Sequence, residues 1–193
     1  MQIARSFAAL NKNPSQVALT IGSFDGVHPG HKHLFSYMET LAPVRLVVTF
    51  ETLPINYFRK EPIPQLTTLD QKLLLLEESG IDIVLLLPFD EKTAELTYQK
   101  FLQNIYENCP FSHLVLGKGA AFGIDQLGNE KNITTFASAL SFTPHYIDKL
   151  QKDGAPLSSM RLRQKYISAN FDDAPAEENE LQGIVAPVKK WRP

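Results

Sequence analysis

The chain has 193 residues, 44% of them hydrophobic and 21% charged, with a formal net charge of −2. That length suffices for one full α/β domain with a buried core, and the slight negative balance excludes a broad electrostatic attraction to nucleic acid. The single cysteine, Cys109, excludes an internal disulfide and fits a reducing cytoplasm.

The first residues, Met1 to Ser6, lack the charged start and long apolar centre of a secretion signal. Val17–Ile21 is apolar and β-branched, the pattern of a buried parallel strand. His31–Leu41 reads as a helix with Leu34, Tyr37, Met38 and Leu41 at helical spacing. Arg45–Phe50 is a second strand. Residues 51–66 form a long connection carrying Pro54, Pro62 and Pro64, and connections of that length in compact domains are often functional. Thr67-Thr68-Leu69-Asp70 has the form of a capping box with Thr67 as the cap, and the helix it opens runs to Ser79 and stops at Gly80.

Ile81–Leu87 is a third strand. The apolar run Ile83 to Phe89 is far shorter than the ~20 residues needed to span a membrane, so no membrane partner is expected. Thr97–Asn108 is a helix with Phe101, Leu102 and Ile105 on one face, and Cys109 beyond it reads as a small buried hydrophobe. Ser112–Leu116 is a fourth strand, followed by a glycine-bearing loop over 117–128. Glu130–Leu140 reads as a helix that Thr134 and Thr135 weaken. Phe142–Ile147 is a fifth strand, placed at an edge by Pro144. Ser158–Ser168 is a last helix with Ser158 as N-cap. The acidic stretch from Asp172 to Glu180 reads as a solvated linker. Strands alternating with helices predict an α/β, Rossmann-like domain: an open, mostly parallel five-stranded sheet with helices on both faces, over residues 1–169, with a linker or tail over 170–193.

The segment with the most chemistry is Gly22-Ser23-Phe24-Asp25-Gly26-Val27-His28-Pro29-Gly30-His31. Two histidines three residues apart fall where the first strand turns into the first helix. In open α/β sheets that turn lies at the carboxyl edge, where phosphates bind. The glycines let the backbone approach an anion, and the histidines supply donors for charge that builds on phosphate oxygens.

These residues resemble the His-x-Gly-His signature of the nucleotidylyltransferase superfamily. The surrounding Phe-Asp-Gly-Val-His is similar to the FAD synthetase (FMN adenylyltransferase) module of bacterial bifunctional riboflavin kinase/FAD synthetases. Val47-Val48-Thr49-Phe50-Glu51 resembles that family's second strand end. Leu66-Thr67 through Lys72 to Gly80-Ile81-Asp82 resembles its lysine-bearing helix and the strand after it. Ser158-Ser159-Met160-Arg161-Leu162-Arg163 is similar to its second signature, Ser-Ser-Thr-x-Ile-Arg. The likeness runs in order over about residues 15–168.

The resemblance implies an adenylyltransferase that moves AMP from ATP to FMN with Mg²⁺ assisting, releasing pyrophosphate and forming no covalent enzyme intermediate. It implies His28, His31 and Arg163 as catalytic residues. Gly22, Ser23, Phe24, Asp25, Gly26, Gly30, Ser158 and Ser159 would bind the nucleotide, with Ser158, Ser159 and Arg163 holding the departing phosphates. Phe50, Gly117, Phe122 and Gly123 would lie against the flavin, where Phe50 and Phe122 suit either ring stacking or core packing. No residue is assigned to a metal. The implied partners are the small molecules ATP and FMN, in the cytoplasm.

The family's pattern is broken in three places. Leu53 stands where it has histidine, Gly119 and Ala120 stand where it has a polar and an aromatic residue, and Met160 replaces a threonine. The family's riboflavin kinase module is not expected after Val185. These departures keep two further readings open: the same fold acting on another phosphorylated acceptor, or a nucleotide- or flavin-binding protein without catalysis. Asp25 suits metal or ribose binding and equally a local turn. Arg161 reads as solvated, and Lys118 as an unpaired loop lysine with phosphate binding as its alternative. His33, His113 and His145 read as structural.

Overall fold

The computed structural model describes residues 1–12, 16–152 and 154–168. Among these residues the main sheet has six parallel strands: β1 (Gln2–Ala4), β2 (Val17–Ile21), β3 (Val44–Phe50), β4 (Ile83–Leu87), β5 (His113–Gly117) and β6 (Thr143–Ile147). Their order is β1-β4-β3-β2-β5-β6. The expected five-stranded sheet is therefore corrected to six. The extra strand, β1, pairs Ile3 with Val84 at an edge, and three residues are too few to show any periodicity. The Pro144 strand does take the opposite edge, against β5.

Side chains alternate between two cores, as strand geometry requires. Leu19, Leu46, Val48, Leu85, Leu114 and Leu116 face one side, and Ala18, Val47, Val84, Leu86 and Val115 the other. The helices are α1 (Pro29–Leu41), α2 (Pro54–Tyr57), α3 (Leu69–Glu78), α4 (Glu91–Ala94), α5 (Tyr98–Asn108), α6 (Glu130–Phe136) and α7 (Ser159–Ser168). Leu34, Phe35 and Met38 of α1 and Leu76 of α3 cover the second core. Phe101, Leu102 and Ile105 of α5 and Ile133 of α6 cover the first. Each fully buried aliphatic side chain of this kind contributes roughly 1.5–3 kcal/mol by leaving water.

Three helix boundaries differ from expectation. The first helix starts at Pro29, whose missing N–H costs nothing at the first helical position. The capping box of α3 is Thr68 with Gln71, one residue later than expected, because the Thr67 hydroxyl is engaged elsewhere, donating to Asp25 at 3.0 Å. The helix expected over 130–140 ends at Phe136 and continues as one 3₁₀ turn, Ala137–Ala139. There Thr134 and Thr135 hydrogen-bond back to the Glu130 and Lys131 carbonyls, a competition that weakens helices.

The chain runs β2, β3, β4 toward one edge and then returns to place β5 on the other side of β2. The ends of β2 and β5 thus form a topological switch point, where open α/β sheets bind ligands. Among the described residues no helix is long and apolar enough to cross a membrane. The acidic stretch expected as a linker lies outside the described residues.

Candidate active site

Immediately after β2 the backbone makes a strained turn. Phe24, Gly26 and Val27 all have positive φ, at 45°, 82° and 29°. For the β-branched Val27 this is a conformational outlier, of the kind that persists only where the surroundings over-determine it. Val27 is fully buried and Phe24 is 4% exposed, so both are held by packing.

The turn delivers His28 to the N-cap of α1. The His28 and His31 rings stack, with centroids 3.6 Å apart and planes at 20°. Glycine at position 30 permits this, since a Cβ there would lie 3.0 Å from the His28 ring. The Phe24 ring meets His31 edge-on at 5.1 Å, and a Cβ on Gly22 would sit 2.9 Å from that phenyl ring. The glycine–phenylalanine–histidine spacing is therefore a packing requirement as well as a backbone one.

Both histidines are neutral at pH 7. Burial lowers His28 from 6.5 to about 4, against a backbone hydrogen bond that raises it. Burial and then repulsion from His28 hold His31 well below 6.5. The Nδ1 atoms of both rings are buried and have no partner among the described residues. Buried polar atoms are rarely left in that state, and a pair of them at the positive end of a helix suits an anion.

Asp25 has its carboxylate engaged within the protein. It is 2% exposed and accepts from the Leu66 amide at 2.9 Å, the Thr67 amide at 3.0 Å and the Thr67 hydroxyl at 3.0 Å. It also pairs with Arg163 Nη2 at 2.5 Å. Its partners lie about 40 and 138 residues away, so it is a tertiary clasp and not a local turn former. Arg163 is 7% exposed, and its Nε donates to the Pro64 carbonyl at 3.1 Å. The Ser159 hydroxyl donates to the Asp25 carbonyl at 2.9 Å, and Ser158 caps α7 by accepting from the Arg161 amide. The two signatures thus meet at Asp25.

Beside the turn, at the switch point, lies a cavity of about 690 Å³. It shares Gly22 and Ser23 with the histidine turn and is walled by Phe50, Phe89, Phe101 and Phe122. Of the residues expected against a flavin, Phe50, Phe122 and Gly123 line it, whereas Gly117 ends β5 outside the lining. Ala120 and Ala121 line it as well, and the Leu53 substituted for a histidine is buried at 4% exposure.

Sequence reasoning missed several residues here. Phe58 lines the cavity while 71% exposed, and Asp125 and Gln126 sit at its rim with positive φ. Lys72 is 5% exposed, donates to the Phe50 carbonyl, and is pushed by burial from 10.5 to about 8. Its position in an apolar helix, between Leu69 and Leu76, was the available signal. Lys118 is paired with Asp148 at 2.8 Å, not unpaired as expected. His113 and His145 are structural as expected: they hydrogen-bond to each other at 3.1 Å, and Tyr37 reaches His145 at 3.2 Å.

A family model described as FAD synthetase matches residues 10–161. The chain is 30% identical over 178 residues to the bifunctional riboflavin kinase/FMN adenylyltransferase of Escherichia coli (strain K12), a match covering 89% of this chain and 57% of that protein. It is 28% identical over 177 residues to the protein of the same name from Pseudomonas fluorescens, with 89% and 57% covered. The chain therefore spans little more than half the length of these relatives. Among solved structures, a macrolide-efflux protein from Streptococcus pneumoniae superposes with a TM-score of 0.72 at 22% identity, covering 84% of this chain and 54% of that one. Pantothenate synthetase from Thermus thermophilus superposes with a TM-score of 0.60 at 15% identity, covering 86% and 70%. These two share the fold. The family match begins at Leu10 and ends inside α7, taking in the histidine turn, the aromatic cavity and the paired serines, and by that extent the chain belongs to the FAD synthetase family.

Proposed function

We propose that this chain transfers the adenylyl group of ATP to the phosphate of FMN, yielding FAD and pyrophosphate. The observation that carries this reading is the pair of buried, unpartnered imidazole nitrogens at the start of α1, beside an aromatic cavity. The nucleophile is already an anion, so no side chain needs activation. A phosphate oxygen of FMN bonds to the α-phosphorus of ATP as the bond from that phosphorus to the bridging oxygen breaks. The electron pair leaves on pyrophosphate. Catalysis is then positioning and electrostatic stabilisation.

His28 and His31 act as neutral donors to the α-phosphate, each with one N–H. Bound phosphate raises their pKa values and strengthens the donation as charge accumulates. Gly22, Ser23 and Gly30 let the backbone close on the nucleotide. The departing phosphates fall to the first turn of α7, at Ser158 and Ser159. The flavin ring enters the cavity between Phe50, Phe58 and Phe122, where offset or edge-on contacts favour an aromatic plane.

Mg²⁺ arrives on the triphosphate as part of the substrate. The described residues hold no group of three or more metal-ligating side chains, and Asp25 spends its carboxylate on Leu66, Thr67 and Arg163. Magnesium commonly binds through substrate phosphates in this way. A cytoplasmic location fits a chain whose single cysteine, Cys109, is buried and forms no disulfide.

A second reading rests on the run Gly119-Ala120-Ala121, which leaves the acceptor side without the polar and aromatic groups of the family pattern. There the acceptor is another phosphorylated compound. One experiment separates these readings: the purified chain is incubated with ATP, Mg²⁺ and FMN, or with other phosphorylated acceptors, and products are identified by mass spectrometry. FAD and pyrophosphate support the first. An adenylylated product from another acceptor alone supports the second. Nucleotide binding without any product defeats both and leaves a binding protein.

A further inference from the structure

We propose that Arg163 is a positioning residue that acts through Asp25 on the histidine turn, and not a ligand of the departing phosphates; this rests on the adenylyl-transfer reading. The guanidinium faces inward. Its Nη2 meets the Asp25 carboxylate and its Nε the Pro64 carbonyl, with 7% of the residue exposed. A phosphate ligand at a crevice mouth needs its fork turned outward, free to close on two oxygens.

Asp25 sits between the two strained stretches of the turn, with Phe24 before it and Gly26 and Val27 after it. One carboxylate joins three parts of the molecule. The turn itself carries it, residues 64–67 supply two amides and a hydroxyl, and α7 supplies Arg163. The closure is reinforced twice: the Gly26 amide donates to the Thr67 hydroxyl at 3.3 Å, and the Ser159 hydroxyl donates to the Asp25 carbonyl. Three residues further on, the same backbone places the His28 ring over Gly30. Lys72 is a second buried cation attracted to Asp25, and it holds the Phe50 carbonyl from behind the cavity. Arg163 is thus the keystone on the α7 side of a clasp whose output is the orientation of the imidazole pair. Removing it leaves a buried carboxylate without its hydrogen-bonded cation beside a strained turn, and the turn relaxes.

The test compares Arg163→Met, Arg163→Lys, Asp25→Asn and the Arg163→Met/Asp25→Asn double variant in the full 193-residue chain. Steady-state adenylyl transfer is measured, together with the ring ¹⁵N and ¹H NMR signals of His28 and His31 in ligand-free protein. Positioning predicts that each single variant lowers kcat by about 10- to 100-fold while KM for ATP stays within about threefold, as misplacement of reacting groups does. It predicts that the double variant is no worse than the worse single one, because both break the same unit. It also predicts that the histidine signals move in Arg163→Met with no nucleotide present.

A direct phosphate ligand gives the opposite pattern. Tripolyphosphate affinity and KM for ATP worsen by about tenfold or more, Arg163→Lys restores much of the loss, and the histidine signals stay where they were. That result overturns the proposal. Should Arg163→Met fail to fold, Ser159→Ala removes one strand of the same clasp, and its histidine signals must move from their wild-type positions with no nucleotide present. Unmoved signals there overturn the proposal too. If the wild-type chain forms no adenylylated product from FMN or any other acceptor, the adenylyl-transfer reading fails by itself, while the ligand-free NMR comparison still decides whether Arg163 orients the histidines.

Discussion

The two walls of the crevice are built on opposite principles. On the nucleotide wall the framework is over-determined: a turn with two non-glycine residues at positive φ, a stacked imidazole pair, and a carboxylate gathering partners from two distant parts of the chain. On the acceptor wall the lining is mostly aromatic and aliphatic, with Asp125 and Gln126 at the rim, and Phe58 stands 71% exposed at the mouth. Developing charge demands pre-organised polar groups that do not move at the moment of reaction. A planar ring demands area and tolerates some freedom in how it is covered. In the proposed reaction the first wall would carry the chemistry and the second the choice of acceptor.

The sharpest break in this contrast is His28→Ala with His31→Ala. Turnover in the FAD assay falls by about a thousandfold or more, as when a principal transition-state donor is lost. Circular dichroism stays native, because Phe35 and Met38 still bury the helix face.

Next comes acid stability. Burial sets His28 at about 4 in the folded chain against 6.5 unfolded, and lowers His31 in the same direction. Between those pH values the unfolded chain binds protons that the folded one refuses, so stability is complete above pH 6.5 and falls as pH drops toward 4. The His28 contribution is on the order of 3 kcal/mol. Urea midpoints measured from about pH 7 to about pH 4 should fall much less in a His28→Asn/His31→Asn variant than in wild type, and equal slopes would erase the claimed burial.

A smaller effect probes the acceptor wall. Phe58→Ala should raise KM for FMN by about tenfold while KM for ATP holds, the value of one aromatic contact. Equal changes in both would mean that the walls are not separable. The smallest effect belongs to Lys118→Ala. That ion pair with Asp148 is solvent-exposed, so stability should hardly change, and FAD formation should not change at all.

Legibility followed the range of each interaction. β2 to β6 were readable to within a residue or two, β2, β3, β4 and β5 because each holds a short run of apolar or β-branched side chains. β1 was not, since its three residues gain their form from pairing with β4. The histidine turn was readable because spacing alone places two imidazoles on one helix start. The role of Asp25 was not, because its partners at 66–67 and 163 are distant in the chain. The same contact explains why the cap of α3 is Thr68 when Thr67 has the equivalent hydroxyl. The aromatic cavity draws Phe50, Phe89, Phe101 and Phe122 from four separate elements or loops, and no local pattern connects them.

The two margins of the sheet have a consequence for how this protein behaves in crowded solution. One border strand is only three residues long, and the other carries a proline that offers no amide hydrogen to an incoming chain. Neither border gives a foreign strand a long row of donors and acceptors to copy, which is how natural sheets avoid recruiting their neighbours into fibres.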